Sequence, residues 1–205
     1  MSNEEKIIKY FTKNYNKIGD DCAYLSQTKQ LISSDTLVEN IHFDLKYFTP
    51  KNIAHRLFTA NYSDIQSSGG KPKYVLLNLS FPNKNFRFVN KIIKNFHRYC
   101  LKYGIEIIGG DTTASDKIFL SLTIISDAIN KNKIIKRSQA KINDKIYTFS
   151  GIGYSKLGFM NIYKNLKLPK DISALSKKQF LSPKIYTYYD LFKKIKLNSC
   201  MDVSD

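Results

Sequence analysis

Residues 89–104 limit the possible folds more than any other stretch. Val89, Ile92, Ile93, Phe96, Cys100 and Tyr103 recur at helical spacing and Gly104 closes the run, so the segment is an amphipathic helix whose apolar stripe needs a surface to lie on. Strand-like segments flank it: Lys73 to Phe81, stopped by Pro82, and Ile105 to Ile108, a buried strand by its apolar character. The pattern repeats elsewhere. Residues 22–27 and 31–35 form two strands around the turn Thr28-Lys29-Gln30, Leu37 to Phe43 continues extended, Pro50 opens a helix through Gln66, and Ile118 to Ile125 is a further strand. Ile7, Ile8, Phe11, Tyr15 and Ile18 mark a short leading helix. Strands alternating with helices, some adjacent strands antiparallel, define an α/β or α+β sheet domain.

Apolar content drops near Lys136 to Asp144, which predicts a boundary and two parts, 1–136 and 137–205. Beyond it, Lys145 to Ser150 is a predicted strand, and Gly151, Gly153 and Gly158 allow close packing of a helix on a sheet. Residues 164–184 are Lys-rich and weakly patterned, and a helix carries Ile185, Tyr188, Tyr189 and Phe192.

Composition excludes several classes. With 33 Lys and Arg against 17 Asp and Glu the net charge is +16, but the lysines are scattered without a dense basic block, which argues against a nucleic-acid partner. Cys22, Cys100 and Cys200 are odd in number and lack a CxxC spacing, so neither a disulfide framework nor a zinc site is indicated and a reducing cytoplasm fits. No apolar run approaches the roughly 20 residues that span a bilayer, and no signal-peptide core is present.

Against that basic background, acidic residues close short apolar runs: Asp20 and Asp21 after Ile18-Gly19, Asp35 after Ser33-Ser34, Asp64 after Asn61-Tyr62-Ser63, Asp111 after Gly109-Gly110, and Asp202 with Asp205 around Val203-Ser204. Each is expected where an element emerges from the core. Asp64 points inward on its helix with Ile53, Leu57 and Ala60. Grouped carboxylates repel one another unless a cation offsets them, and the natural cation for such oxygen donors is Mg²⁺. Several ions beside phosphate-bearing molecules suit phosphoryl transfer, which asks chiefly for charge neutralisation and in-line positioning. His55 and His97 fall inside helices as packing or surface residues, whereas His42 follows Asp35 on the same extended segment.

The motifs Ile18-Gly19-Asp20-Asp21, Ser33-Ser34-Asp35-Thr36-Leu37-Val38-Glu39, Ile41-His42-Phe43, Asn61-Tyr62-Ser63-Asp64, Gly109-Gly110-Asp111-Thr112-Thr113 and Met201-Asp202-Val203-Ser204-Asp205 together resemble the thiamine-monophosphate kinase family, in its order and over nearly the whole chain. The resemblance implies a fold of the aminoimidazole ribonucleotide synthetase type: an N-terminal mixed-sheet domain that closes a barrel on homodimerisation, followed by a C-terminal α/β domain. It implies ATP-dependent conversion of thiamine monophosphate to thiamine diphosphate and ADP. By position, Asp21, Ser33, Ser34, Asp35, Asp64, Asp111, Asp202 and Asp205 match magnesium positions; Gly110, Asp111, Arg137 and Ser204 match nucleotide positions; His42 matches a substrate contact.

Ser33-Ser34 stands where the family has Thr-Thr or Ser-Thr, and Leu181-Ser182-Pro183 where an Arg-Pro pair is common. Asp205 falls within a site motif, so the chain is expected to be a fragment or truncated form with an incomplete C-terminal domain. The expectation for such a form is a dimer through its first part, a protease-sensitive region after residue 136, and negligible kinase activity. The competing readings are another ATP-dependent member of the superfamily, and a noncatalytic remnant or basic binding module.

Overall fold

The computed structural model describes residues 2–15, 18–130 and 134–203. Helix α1 (Asn3–Thr12) starts at a capping box, in which the Ser2 hydroxyl accepts from the Glu5 N–H and the Glu5 carboxylate accepts from the Ser2 N–H. It stops well before Ile18, so the predicted leading helix is shorter than its apolar spacing suggested. Asn16 and Lys17 lie outside the described residues.

Five strands make one mixed sheet in the order β1-β2-β5-β3-β4. The hairpin β1 (Ala23–Leu25) and β2 (Gln30–Val38) is antiparallel, turned by Lys29 in the left-handed region. Strand β5 (Phe119–Ala128) inserts antiparallel between β2 and β3 (Gly70–Phe81), and β4 (Glu106–Ala114) adds parallel to β3 at the far edge. Helix α2 (Pro50–Ser67) is entered through a Thr49 capping box, and α3 (Phe86–Tyr103) ends on Gly104 at φ 65°. The crossover of α3 is what makes β3 and β4 parallel.

Both helices lie on one face of the sheet. Ile53, Leu57 and Ile65 of α2 and Val89, Ile92, Phe96 and Cys100 of α3 meet Leu31, Val75, Leu120, Leu122 and Ile124, all buried. Burying each such large side chain stabilises the fold by about 1.5–3 kcal/mol. Among the described residues nothing covers the other face: Ser34, Thr36, Asn78 and Phe119 lie on it, exposed.

Further expectations are corrected. Strand β4 is exposed along its length, not buried, because it is the sheet edge and α2 packs over β2, β5 and β3. Asp35 and Asp111 sit in the middle of β2 and β4, where strand ends were expected, while Asp64 lies in the last turn of α2, as the helix read from Pro50 to Gln66 predicts. Residues 145–150 form no strand and are exposed, since no neighbouring strand among the described residues offers hydrogen bonds. Gly158 packs helix on helix, not helix on sheet: α4 (Tyr154–Tyr163) crosses α5 (Lys170–Leu181) so closely that a Cβ there would lie 2.2 Å from the Ser176 carbonyl oxygen. Helix α5 itself occupies much of the Lys-rich, weakly patterned stretch 164–184, and α6 (Tyr189–Lys194) begins later than Ile185. Among the described residues no helix is long and apolar enough to cross a membrane.

Candidate functional site

Helix α2 presents Asn61, Ser63, Asp64 and Ser67 to β2 and to the segments around Asp21 and Asp202, and four carboxylates gather there. The Ser33 hydroxyl donates to Asp64 Oδ2 at 2.5 Å, the Ser67 hydroxyl to Asp21 Oδ2 at 2.7 Å, and the Ser63 hydroxyl to Asp202 Oδ2 at 2.8 Å. The Asp202 N–H also reaches Asp21 Oδ2, at 3.4 Å. Asp35 lies beside Asp64, its own N–H donating to Asn61 Oδ1 at 3.2 Å.

The charges are poorly offset. Burial pushes the Asp64 carboxyl up to about 8, reinforced by the negative charges of Asp202, Asp35 and Asp21 and opposed by the Ser33 hydrogen bond. Burial likewise raises Asp35 and Asp202; for Asp202 the Asp21 and Asp35 charges add to it, while Ser63 and Arg137 oppose it. Among the described residues the cation in contact is Arg137, whose guanidinium approaches Asp21 Oδ1 at 3.5 Å while the Arg137 main-chain N–H donates to Asp20 Oδ1 at 3.1 Å. The Ser199 hydroxyl donates to the Arg137 carbonyl at 2.7 Å and so ties this loop to the segment carrying Asp202.

Among the described residues, no three His, Cys, Asp or Glu side chains already converge on a single metal position. The donor set nevertheless fits Mg²⁺. It is all oxygen, carries excess negative charge and leaves the carboxylates separately held, as an ion that keeps several waters requires.

Of the positions singled out in the sequence, Asp21, Ser33, Asp35, Asp64, Asp202 and Arg137 are brought together. Asp111 and Ser34 are not. Strand register aligns Asp111 with Asn78, Ser121 and Thr36, whereas Asp35 aligns with Leu122 and Leu77, so Asp111 lies on the uncovered face of the sheet. Ser34 shares that face, its hydroxyl 3.0 Å from that of Thr123. Gly110 is required there: at φ 147° a Cβ would lie 1.8 Å from the Leu77 carbonyl oxygen. Ser204 and Asp205 lie outside the described residues.

His42 borders a separate cavity of about 280 Å³, lined also by Asp44, Arg56, Phe159, Tyr163 and Phe180. Its Nδ1 accepts from the Val38 N–H at 3.0 Å. Arg56, which the sequence reading passed over, is clasped between the rings of Phe48 and Phe180 and donates to the carbonyls of His42 and Phe180. Ser63 and Ser67 were also missed. Their spacing of four residues, which puts both hydroxyls on one helix face beside the Asp64 motif, was the available signal.

The profile of the "AIR synthase related protein, N-terminal domain" family matches residues 19–127, which hold the whole sheet up to the penultimate residue of β5. The chain therefore belongs to that family. Within it, the similarity is to thiamine-monophosphate kinases: 32% identity to that of Leptospira interrogans over 190 residues, covering 91% of this chain and 61% of the relative. The enzyme of Buchnera aphidicola subsp. Schizaphis graminum is 34% identical over 216 residues, covering 99% of this chain and 66% of the relative. The solved structure of AaThiL complexed with AMPPCP and TMP superposes with a TM-score of 0.84 at 26% identity, over 100% of this chain and 68% of that one. This chain thus spans a little under two thirds of the length of these curated relatives.

Proposed function

We propose that this chain carries the metal and nucleotide part of a thiamine-monophosphate kinase, which moves the γ-phosphoryl group of ATP to thiamine monophosphate with Mg²⁺. The observation that carries the reading is the gathering of Asp21, Asp35, Asp64 and Asp202 around α2, in a chain similar to kinases of that name and to a structure holding AMPPCP, a methylene-bridged ATP analogue, and TMP.

Asp21, Asp35, Asp64 and Asp202, with the Ser33 hydroxyl, would hold the Mg²⁺, which when bound neutralises phosphate charge and orients the reacting groups. The chain's own residues do the rest. The serines orient the carboxylate oxygens, Arg137 can turn its planar fork from Asp21 to a phosphate, and His42 stands at the acceptor side. The reacting phosphoryl group meets no protein nucleophile in this scheme; positioning and charge do the work.

The reading includes a homodimer in which two uncovered sheet faces close a barrel. Its support is the exposure of β4 along its length and the placement of Asp111 on the uncovered face of the sheet. It also includes a division at residue 136 and a cytoplasmic setting, where the free thiols of Cys22, Cys100 and Cys200 would persist.

The test is chromatographic detection of thiamine diphosphate from ATP and thiamine monophosphate, alongside calorimetry of Mg²⁺ and ATP binding. Mg²⁺-dependent ATP binding that is lost in Asp35→Asn is the expected result. A chain that binds neither Mg²⁺ nor ATP would overturn the reading.

A further inference from the structure

Asn61 is fully buried, and half of its side chain has no partner. Its Oδ1 accepts from the Asp35 main-chain N–H at 3.2 Å, while its Nδ2 is without a hydrogen bond. The amide cannot be reversed to cure this, because an N–H donor on Asp35 requires the oxygen to face it. A buried, unpaired amide N–H is a net cost to the fold, and a leucine of similar volume would avoid it. The group that justifies keeping an asparagine is therefore the acceptor, Oδ1.

That acceptor has a definite place in the fold. Strand β1 pairs with β2 only from Gln30 to Ile32, so farther along, no strand among the described residues lies beside the outer edge of β2. Asp35 lies on that unpaired stretch, and Asn61 supplies the missing acceptor. Three residues on along α2, Asp64 accepts from Ser33 on the same strand. The two ties form a ladder between α2 and β2, with helix and strand running in opposite directions, and Asp35 and Asp64 sit on its rungs.

We infer that Asn61 is a positioning residue that fixes the Asp35 carboxylate against Asp64 and so sets the affinity of the cluster for a divalent cation. This rests on the Mg²⁺ reading above. Asn61 is not itself a ligand in this account. It acts through the backbone of Asp35, as groups behind metal ligands commonly do, with about 10–100-fold effects on affinity when removed.

The test is Mg²⁺ titration of the full 205-residue chain by calorimetry, with the thermal midpoint of each variant measured in EDTA. Asn61→Leu and Asn61→Ala should weaken Mg²⁺ binding at least about tenfold. Asn61→Asp, which keeps the acceptor oxygen, should bind within about threefold of wild type or more tightly. Phe58→Leu, on the same helix among aromatic neighbours, should lower the thermal midpoint and leave Mg²⁺ affinity unchanged. If the leucine variant fails to fold, the alanine and aspartate variants decide. Wild-type binding that Asn61→Ala leaves intact would overturn the role of Asn61 and spare the Mg²⁺ reading. Equal losses in Asn61→Ala and Asn61→Asp would show that the acceptor is not the cause and also overturn it. A wild-type chain that binds no Mg²⁺ would bring down both.

Discussion

The two faces of the sheet carry the same strands and opposite chemistry. The face under α2 and α3 combines a closed apolar core with the Asp35 and Asp64 carboxylates, whereas the uncovered face presents Ser34, Thr36, Asn78, Asp111 and Phe119. Motif positions that a linear reading groups into one site are thus split by strand alternation. One copy of the chain assembles the Asp21, Asp35, Asp64 and Asp202 cluster, and it holds Asp111 on the opposite side, the one assigned above to the proposed dimer.

The largest expected effect comes from placing a charge on either face. Leu122→Asp should unfold the protein, since an unpaired charge in the core costs on the order of 4 kcal/mol or more. Thr123→Asp, one residue along on the other face, should leave the monomer folded and weaken association. Urea denaturation with light scattering separates them, and similar losses in both would mean that the faces are not distinct.

A subunit-mixing experiment sharpens the same contrast in ligand binding. Asp35→Asn and Asp111→Asn should each fold and each lose most Mg²⁺-dependent ATP binding. If the two faces serve one site across a twofold interface, mixing the two deficient chains should restore about a quarter of the wild-type ATP sites through heterodimers. No recovery in a mixed dimer would confine Asp111 to its own subunit.

Within the buried face, Asp64→Asn should stabilise the ion-free protein by roughly 1 kcal/mol, because it removes a carboxylate crowded by burial and three neighbouring acids. The same change should abolish stabilisation by Mg²⁺. Differential scanning calorimetry with and without the ion reads both signs, and a lower ion-free midpoint would show that the carboxylates do not repel.

The smallest effect concerns His55. Its Nε2 lies 2.6 Å from the Pro183 carbonyl, which can only accept, so Nε2 carries a proton; in the neutral ring Nδ1 then accepts from the Tyr99 hydroxyl at 2.9 Å. Burial lowers its affinity for a proton, while the Pro183 contact raises it. A depressed folded value means that stability is intact above the unfolded value near 6.5 and falls as pH drops below it. His55→Gln should flatten that fall, by a few degrees in Tm at most. An unchanged slope would assign the pH dependence to other groups.

Much of the sheet was legible because period and punctuation agree. The Val89 to Tyr103 stripe with Gly104, and Pro50 at the start of α2, specify their helices locally. The two later helices were harder: in α5 only Ser176 and Phe180 are buried, and lysines obscure the stripe. Likewise, the carboxylates of the site could be read one by one from their motifs. Which ones meet depends on strand parity and on pairings such as Ser33 with Asp64, 31 residues apart, or Ser63 with Asp202, 139 apart. Local spacing carries no such information, and neither the buried Asn61 nor the clasped Arg56 announces itself by composition.

The position of β5 has a consequence for how the molecule forms. It is the last of the described strands in chain order and lies between β2 and β3, bonded to both. During synthesis, therefore, β2 and β3 leave the ribosome with bare edges that cannot satisfy one another, and the sheet closes only when residues 119–128 arrive. Such long-range closure makes for slow folding, and the exposed edges invite pairing between nascent chains. Refolding should be correspondingly slow and concentration-sensitive, and should be governed by the docking of a single strand.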